Sequence, residues 1–131
     1  LNKNTYNDFF GTLNGQEYQA AQWVLGNVPA SANITALGIP HADNFVSVTS
    51  KKIRWFAAVS QHVTRFYYFL ENKEDILKSK DWYIMLDYTM VGPLNDVANF
   101  NYMQQFEKNL TNHALVYNKN DIRVYKFEPA R

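Results

Sequence analysis

Ala114-Leu-Val-Tyr-Asn-Lys-Asn-Asp-Ile-Arg-Val-Tyr-Lys-Phe127 sets two short apolar runs around a polar centre. Leu115 and Tyr117 alternate with Val116, and Ile122, Val124 and Tyr125 with Arg123 and Lys126. Asn118-Lys-Asn-Asp121 between them has turn composition, so the stretch predicts two strands joined as a hairpin that closes the domain. None of its residues carries chemistry.

Working outward, Asp81-Trp-Tyr-Ile-Met-Leu-Asp87 is nearly continuous in apolar residues, which predicts a central strand covered on both faces. Asn72 to Ser79 before it fits one or two amphipathic helical turns capped by Asn72. After the Gly92-Pro93 break, Leu94, Val97, Ala98, Met103, Phe106 and Leu110 predict a helix over Leu94 to Leu110. Nearer the start, Tyr18, Ala21, Trp23, Val24 and Val28 recur at helical spacing from Gln16 to Val28. Asn14 or Gly15 is the cap, Glu17 lies in the first turn, and Gly26-Asn27 with Pro29 end the helix. Ala32 to Ile39 then reads as a buried strand closed by Pro40, followed by a loop at His41-Ala-Asp43-Asn44. Phe45 to Val48 alternates like a strand.

Residues 51–71 are ambiguous. Ile53, Trp55, Phe56, Val59, His62 and Val63 make a helical face, whereas Val63 to Leu70 suits a strand or a buried helix. The reading favours a helix somewhere in this span. Residues 1–13, with Tyr6, Phe9, Phe10 and Leu13, fit a short helix or a segment laid over the core, an extension that follows a membrane segment. Helix, turn and strand recur in that order, so the expected fold is a layered α/β domain. It has a small, mostly parallel central sheet, flanking helices and a C-terminal antiparallel hairpin, with residues 1–131 as a single domain.

A chain of 131 residues buries about two thirds of its unfolded surface. With 47% apolar and 19% charged residues, it has the composition of a packed globule. Aromatics reach 16%, which suits a bulky core and equally a surface covered by a partner or a membrane interface. The net charge is +1, and the only basic cluster is Ser50-Lys-Lys-Ile-Arg54, so a nucleic-acid partner is disfavoured. Without cysteine, thiol catalysis, zinc thiolate sites and disulfides are ruled out. No apolar run reaches the roughly 18–20 residues of a membrane span. The start at Leu1 fits a piece of a longer chain. Two acceptor sequons, Asn33-Ile-Thr35 and Asn109-Leu-Thr111, occur among fifteen asparagines, a number that makes such matches expected by chance.

Open α/β sheets hold ligands beyond the carboxyl ends of their strands. That rule selects His41 and Asp43 after the first strand, and Asp87 and Tyr88 after the central one, as a candidate ligand-binding rim. Asp87 has two readings, a metal ligand or base, and a side chain that caps the following turn. His41 and Asp43 do not have metal-ligand spacing, and His62 and His113 stand alone, so no metal site is expected. The serines lack a nucleophile elbow and the glycines form no phosphate cradle, so no cofactor and no catalytic residue is assigned. Glu17, Asp43, Glu71, Asp87 and Asp96 are candidates for an acid pair assembled by the fold, and no local spacing selects two of them.

Three stretches together resemble one family. Glu17-Tyr-Gln-Ala-Ala-Gln-Trp-Val-Leu-Gly-Asn-Val-Pro29 is similar to the helix, proline and buried strand that open the soluble domain of many polytopic membrane glycosyltransferases. Asp81 to Tyr88 resembles their central strand, and Leu115 to Phe127 their closing hairpin. These are lipid-phosphosugar-dependent enzymes, among them protein mannosyltransferases and oligosaccharyltransferase catalytic subunits. The resemblance implies an extracytosolic, carboxyl-terminal accessory domain whose partner is the transmembrane portion of its own chain, with a glycan or polypeptide acceptor nearby. The catalytic acids would then lie in membrane-side loops. Aromatics such as Phe9, Phe10 and Trp55 would face the membrane part. The Trp-Trp-Asp-Tyr-Gly motif of the oligosaccharyltransferase branch does not occur, because Asp87-Tyr88 follows Met85-Leu86 and precedes Thr89-Met90. Two other readings stay open: a free-standing module that binds sugar or peptide at the His41/Asp43 and Asp87/Tyr88 rim, and a small hydrolase whose acids meet only in the fold.

Overall fold

In the computed structural model, which describes residues 13–38, 42–49, 53–57, 74–75 and 77–128, five strands form one mixed sheet. They are β1 (Asn33–Leu37), β2 (Arg54–Ala57), β3 (Trp82–Asp87), β4 (His113–Lys119) and β5 (Ile122–Phe127), in the order β2-β1-β3-β5-β4. β1 runs parallel to both β2 and β3. β5 pairs antiparallel with β3, and β4 with β5. The layered α/β fold with a parallel core and an antiparallel terminal hairpin is therefore the one the sequence predicts.

Among the described residues three helices accompany the sheet: α1 (Gly15–Asn27), α2 (Ala42–Val48) and α3 (Val97–Lys108). No helix among the described residues is long and apolar enough to cross a membrane. α1 begins at a capping box, in which the Asn14 side chain accepts from the Glu17 N–H at 2.8 Å and Glu17 Oε1 accepts from the Asn14 N–H at 2.9 Å. Its buried stripe is Ala20, Ala21, Val24 and Glu17; the two alanines let the helix backbone come close to the sheet. α1, Phe45 of α2, and the β residues Ile34, Ala36, Tyr83, Met85, Ile122 and Val124 share one core. On the other face Met103 and Phe106 of α3 pack on Leu37, Ile84 and Leu86. Alternation along β3 thus sends Tyr83 and Met85 to one layer, Ile84 and Leu86 to the other, as the continuous apolar run requires.

Four expectations change. Phe45 to Val48 is helical, not a strand, and Ala42 to Asn44 belong to the same helix instead of a loop. Four residues cannot separate a strand from one helical turn, because Phe45 and Val48 are also three apart. Phe45 is fully buried and stacks on Trp55 at 4.3 Å between ring centroids. Thr49 then fastens the helix end, since its Oγ1 donates to the Phe45 carbonyl at 2.8 Å and accepts from Trp55 Nε1 at 3.1 Å. Second, residues 54–57 of the ambiguous span form strand β2, and the expected helix elsewhere in 51–71 falls outside the described residues. Pairing with β1 decides the matter, and residues 58–71 lie outside the described residues. Third, Trp55 is buried at 4% exposure, so it does not face a membrane part; Phe9 and Phe10 lie outside the described residues. Fourth, the 94–110 helix starts at Val97, and Leu94 is 98% exposed. Gly92 and Asn95 close a tight bridge through reciprocal N–H···O bonds of 2.6 and 3.1 Å, and Asp96 takes φ 58° at the helix start. Of the turns predicted over 72–79, residues 74–75 are helical and Asn72, Lys73 and Ile76 lie outside the described residues.

Candidate functional site

The carboxyl end of β3 is where the polar side chains converge. Parallel β1 ends beside it at Gly38, whose φ of 92° is open only to glycine without strain. A methyl group there would overlap the Asp87 carbonyl oxygen, so the two strand ends approach as closely as backbone allows. α1 runs back along this sheet and brings its N-terminus to the same end.

Asp87 points toward α1, on the Tyr83 and Met85 side, and is fully buried. Its Oδ1 accepts from the Thr89 N–H at 2.9 Å and from the Thr89 hydroxyl at 2.5 Å, so it does cap the following turn. Asn14 Nδ2 donates to Thr89 Oγ1 at 3.0 Å. Beside it sits Glu17, 4% exposed, whose carboxyl is pushed up to about 9 by burial first and by its hydrogen bond and charge interaction with Asp87 second. The Asn14 N–H and Thr89 pull it the other way without prevailing. Asp87 Oδ2 meets no fixed donor among the described residues, and the proton that Glu17 retains is the donor that suits it. Among the described residues the fold has therefore assembled one acid pair, Glu17 with Asp87, and sealed it; Glu71 and the side chain of Asp43 lie outside them. Burial and the neighbouring carboxylate favour a proton on Glu17, and Thr89 links Asp87 to the cap of α1 by donating to Asp87 and accepting from Asn14.

The opposite side of the same strand end carries a second cluster. Tyr88, one residue on, turns toward α3, and Glu107 there accepts from the Tyr88 hydroxyl at 3.0 Å and the Tyr125 hydroxyl at 2.6 Å. Arg123 Nη1 donates to both Glu107 oxygens at 2.8 Å, and the guanidinium lies 5.7 Å from the Tyr88 ring centroid. Burial favours the neutral acid at Glu107, but the donors Tyr125, Arg123 and Tyr88 outweigh it and hold the carboxyl below its usual range. Burial and the adjacent Glu107 push the Tyr125 phenol up to about 12 and raise that of Tyr88 further.

A cavity of about 350 Å³ opens beside this cluster, walled by Tyr88, Pro93, Phe100, Gln104, Asp121 and Arg123. A larger cleft, about 520 Å³, lies between Pro29, Lys80, Asp81 and Lys126 at the amino ends of β1 and β3. That is the end of a parallel sheet where ligands are not expected, so the smaller cavity is the better candidate. Among the described residues no group of three or more His, Asp or Glu is placed to hold a metal ion.

Of the sequence-selected rim, Asp87 is buried, Tyr88 reaches the cavity, Asp43 lies on α2, and His41 lies outside the described residues. Asp87 and Tyr88 point to opposite layers and serve different clusters. The sequons differ too: Asn33 is half-buried at the start of β1, whereas Asn109 is exposed at the end of α3. Glu107, Arg123, Phe100 and Gln104 were not selected from sequence. One signal existed: alternation in β5 puts Arg123 on the layer opposite Ile122 and Val124, where an arginine beneath a helix needs an acidic partner. Comparison with protein-family models, curated proteins and solved structures finds no match for this chain.

Proposed function

We propose that this chain is a non-catalytic extracytosolic domain serving a membrane-embedded, lipid-phosphosugar-dependent glycosyltransferase, docked on the transmembrane portion of its own parent chain. The observation that carries the reading is an apolar ledge leaving the carboxyl end of β3. Met90 is 56%, Leu94 98% and Val97 49% exposed, three large apolar residues within one short stretch. Such clustering marks a surface that another apolar body covers. The three stretches that carry the family resemblance also fall on adjoining elements, α1, β3 and the β4-β5 hairpin. The sealing of Glu17 and Asp87 supports an accessory role over a hydrolytic one, since neither acid has access to a substrate.

The full reading frame tests this. Many hydrophobic spans upstream of Leu1 are expected, and a start codon or a lone signal peptide in that place sinks the proposal. In membranes carrying the full protein, Leu94→Asp is expected to lower glycosyl transfer about tenfold, since covering one such side chain contributes roughly 1.5–3 kcal/mol. Leu94 touches little of its own domain, so the domain stays folded. Unchanged transfer with a folded variant counts against the ledge as the docking surface.

A further inference from the structure

The cavity beside Tyr88 has the chemistry of a site for one ring of a neutral sugar, and we propose that it binds the non-charged pyranose unit of a glycan. The inference rests on the cavity alone, and it stands or falls independently of any membrane parent.

Charge excludes the alternatives. Among the described residues Arg123 is the cation of the cavity, but its Nη1 is committed to both Glu107 oxygens. Glu107 therefore balances that charge, and Asp121 adds a carboxylate to the wall, so an anion finds no net attraction. A cation would meet the guanidinium, which is 39% exposed at its side chain. What remains is a neutral ligand that both donates and accepts. A pair of neighbouring hydroxyls does so: one donates to the Asp121 carboxylate, the other accepts from the outward N–H groups of Arg123. Gln104, also in the wall, offers an amide that can donate and accept.

The remaining walls are apolar and flat. Phe100 meets Tyr88 edge to face, 5.8 Å between centroids at 69°, and Pro93 closes the outer side. A pyranose presents an apolar C–H face and a hydroxylated rim, which matches a cavity with aromatic and proline walls on one part and planar polar side chains on another. At about 350 Å³ the space sits near the lower end of the roughly 300–1,000 Å³ common for small-molecule sites, enough for one ring. Arg123 and Tyr88 are held by Glu107 before any ligand arrives, so little ordering of these two is needed on binding.

Titration of the 131-residue chain, labelled with ¹⁵N, against glucose, mannose, galactose and N-acetylglucosamine tests the proposal. At least one is expected to shift the amides of Gly92, Phe100 and Gln104 with a dissociation constant around 1 mM. Asp121 is exposed, so Asp121→Ala keeps the fold and is expected to weaken that binding about tenfold. Inorganic phosphate is the second probe. Shifts at these amides with phosphate and none with the sugars overturn the neutral-ligand assignment. Silence with every probe overturns the site, as does sugar binding that Asp121→Ala leaves intact. None of these results depends on spans upstream of Leu1, so failure here is distinct from failure of the proposed function.

Discussion

Glu17 occupies two structural roles with one carboxyl. Its Oε1 completes the capping box of α1, and burial beside Asp87 at the end of β3 favours its protonated form. The folded chain holds that proton up to about 9, whereas the unfolded chain releases it near 4.5. Stability from this group is therefore full below about 4.5, declines as pH rises, and is gone once pH passes about 9. The decline is at most about 1.4 kcal/mol per pH unit, the value for one proton bound in the folded state and absent in the unfolded one. Glu17→Gln keeps an acceptor for the Asn14 N–H and supplies a permanent N–H toward Asp87. Urea unfolding of this variant is expected to lose most of the slope between pH 5 and 9 and to exceed the natural chain in stability at pH 8. An unaltered slope in the variant means that the two acids do not share a proton. The place of Glu17 in the first turn of α1 was legible in sequence; its part in the capping box came with the structure. Its pairing was not legible: Thr89 lies 72 residues from Glu17, and only the return of β3 alongside β1 brings them together.

At the scale of elements, length decided what could be read. α1, β3 and the hairpin each hold a pattern long enough for one period to prevail. α2 and β2 do not: seven and four residues fit either period, and their identity follows from the Phe45–Trp55 stack and the pairing of β2 with β1. The hairpin shows the opposite case, a strong pattern with a local exception. Register shifts between Leu115 and Tyr117, so Val116 and Tyr117 both pack on the α1 layer while Leu115 is exposed, a bulge that simple alternation does not anticipate. α3 is attached differently. Besides Met103 and Phe106 it relies on Glu107, 13% exposed at its side chain, which satisfies three donors from β5 and the end of β3. Glu107→Ala leaves those donors without their acceptor and is expected to cost roughly 2–4 kcal/mol in urea unfolding. Glu107→Gln, which can still accept from one tyrosine, is expected to lose less. Amide exchange in α3 should quicken in both variants before exchange in β3 does. Equal losses for the two variants would mean that packing, not the buried acceptor, holds α3.

Across the described residues the molecule has one sheet with a separate core on each face, and β3 is the strand common to both. The sequence signals this arrangement through the Trp82-to-Leu86 run, because a strand without a polar face must be covered twice. It does not signal which polar groups sit at the strand's end, since Asp87 and Tyr88 are neighbours that serve opposite layers. The same geometry has a thermodynamic consequence. Ile34 belongs wholly to the α1 layer and Met103 to the α3 layer, and the sheet stands between them. Ile34→Val is expected to cost roughly 0.5–1.5 kcal/mol and Met103→Ala roughly 2–5 kcal/mol, each by lost contacts and residual space in its own core. With no shared partner, the double variant should lose the sum of the two to within about 0.5 kcal/mol. Both variants should still unfold in one transition, because melting either layer strips one face of β3 and exposes the apolar residues that the other layer needs in place. Fluorescence and far-UV circular dichroism followed through the same urea series decide the point. Coincident curves make the two layers a single cooperative unit built around β3, whereas an early loss of helix in Met103→Ala alone makes α3 a layer that melts by itself.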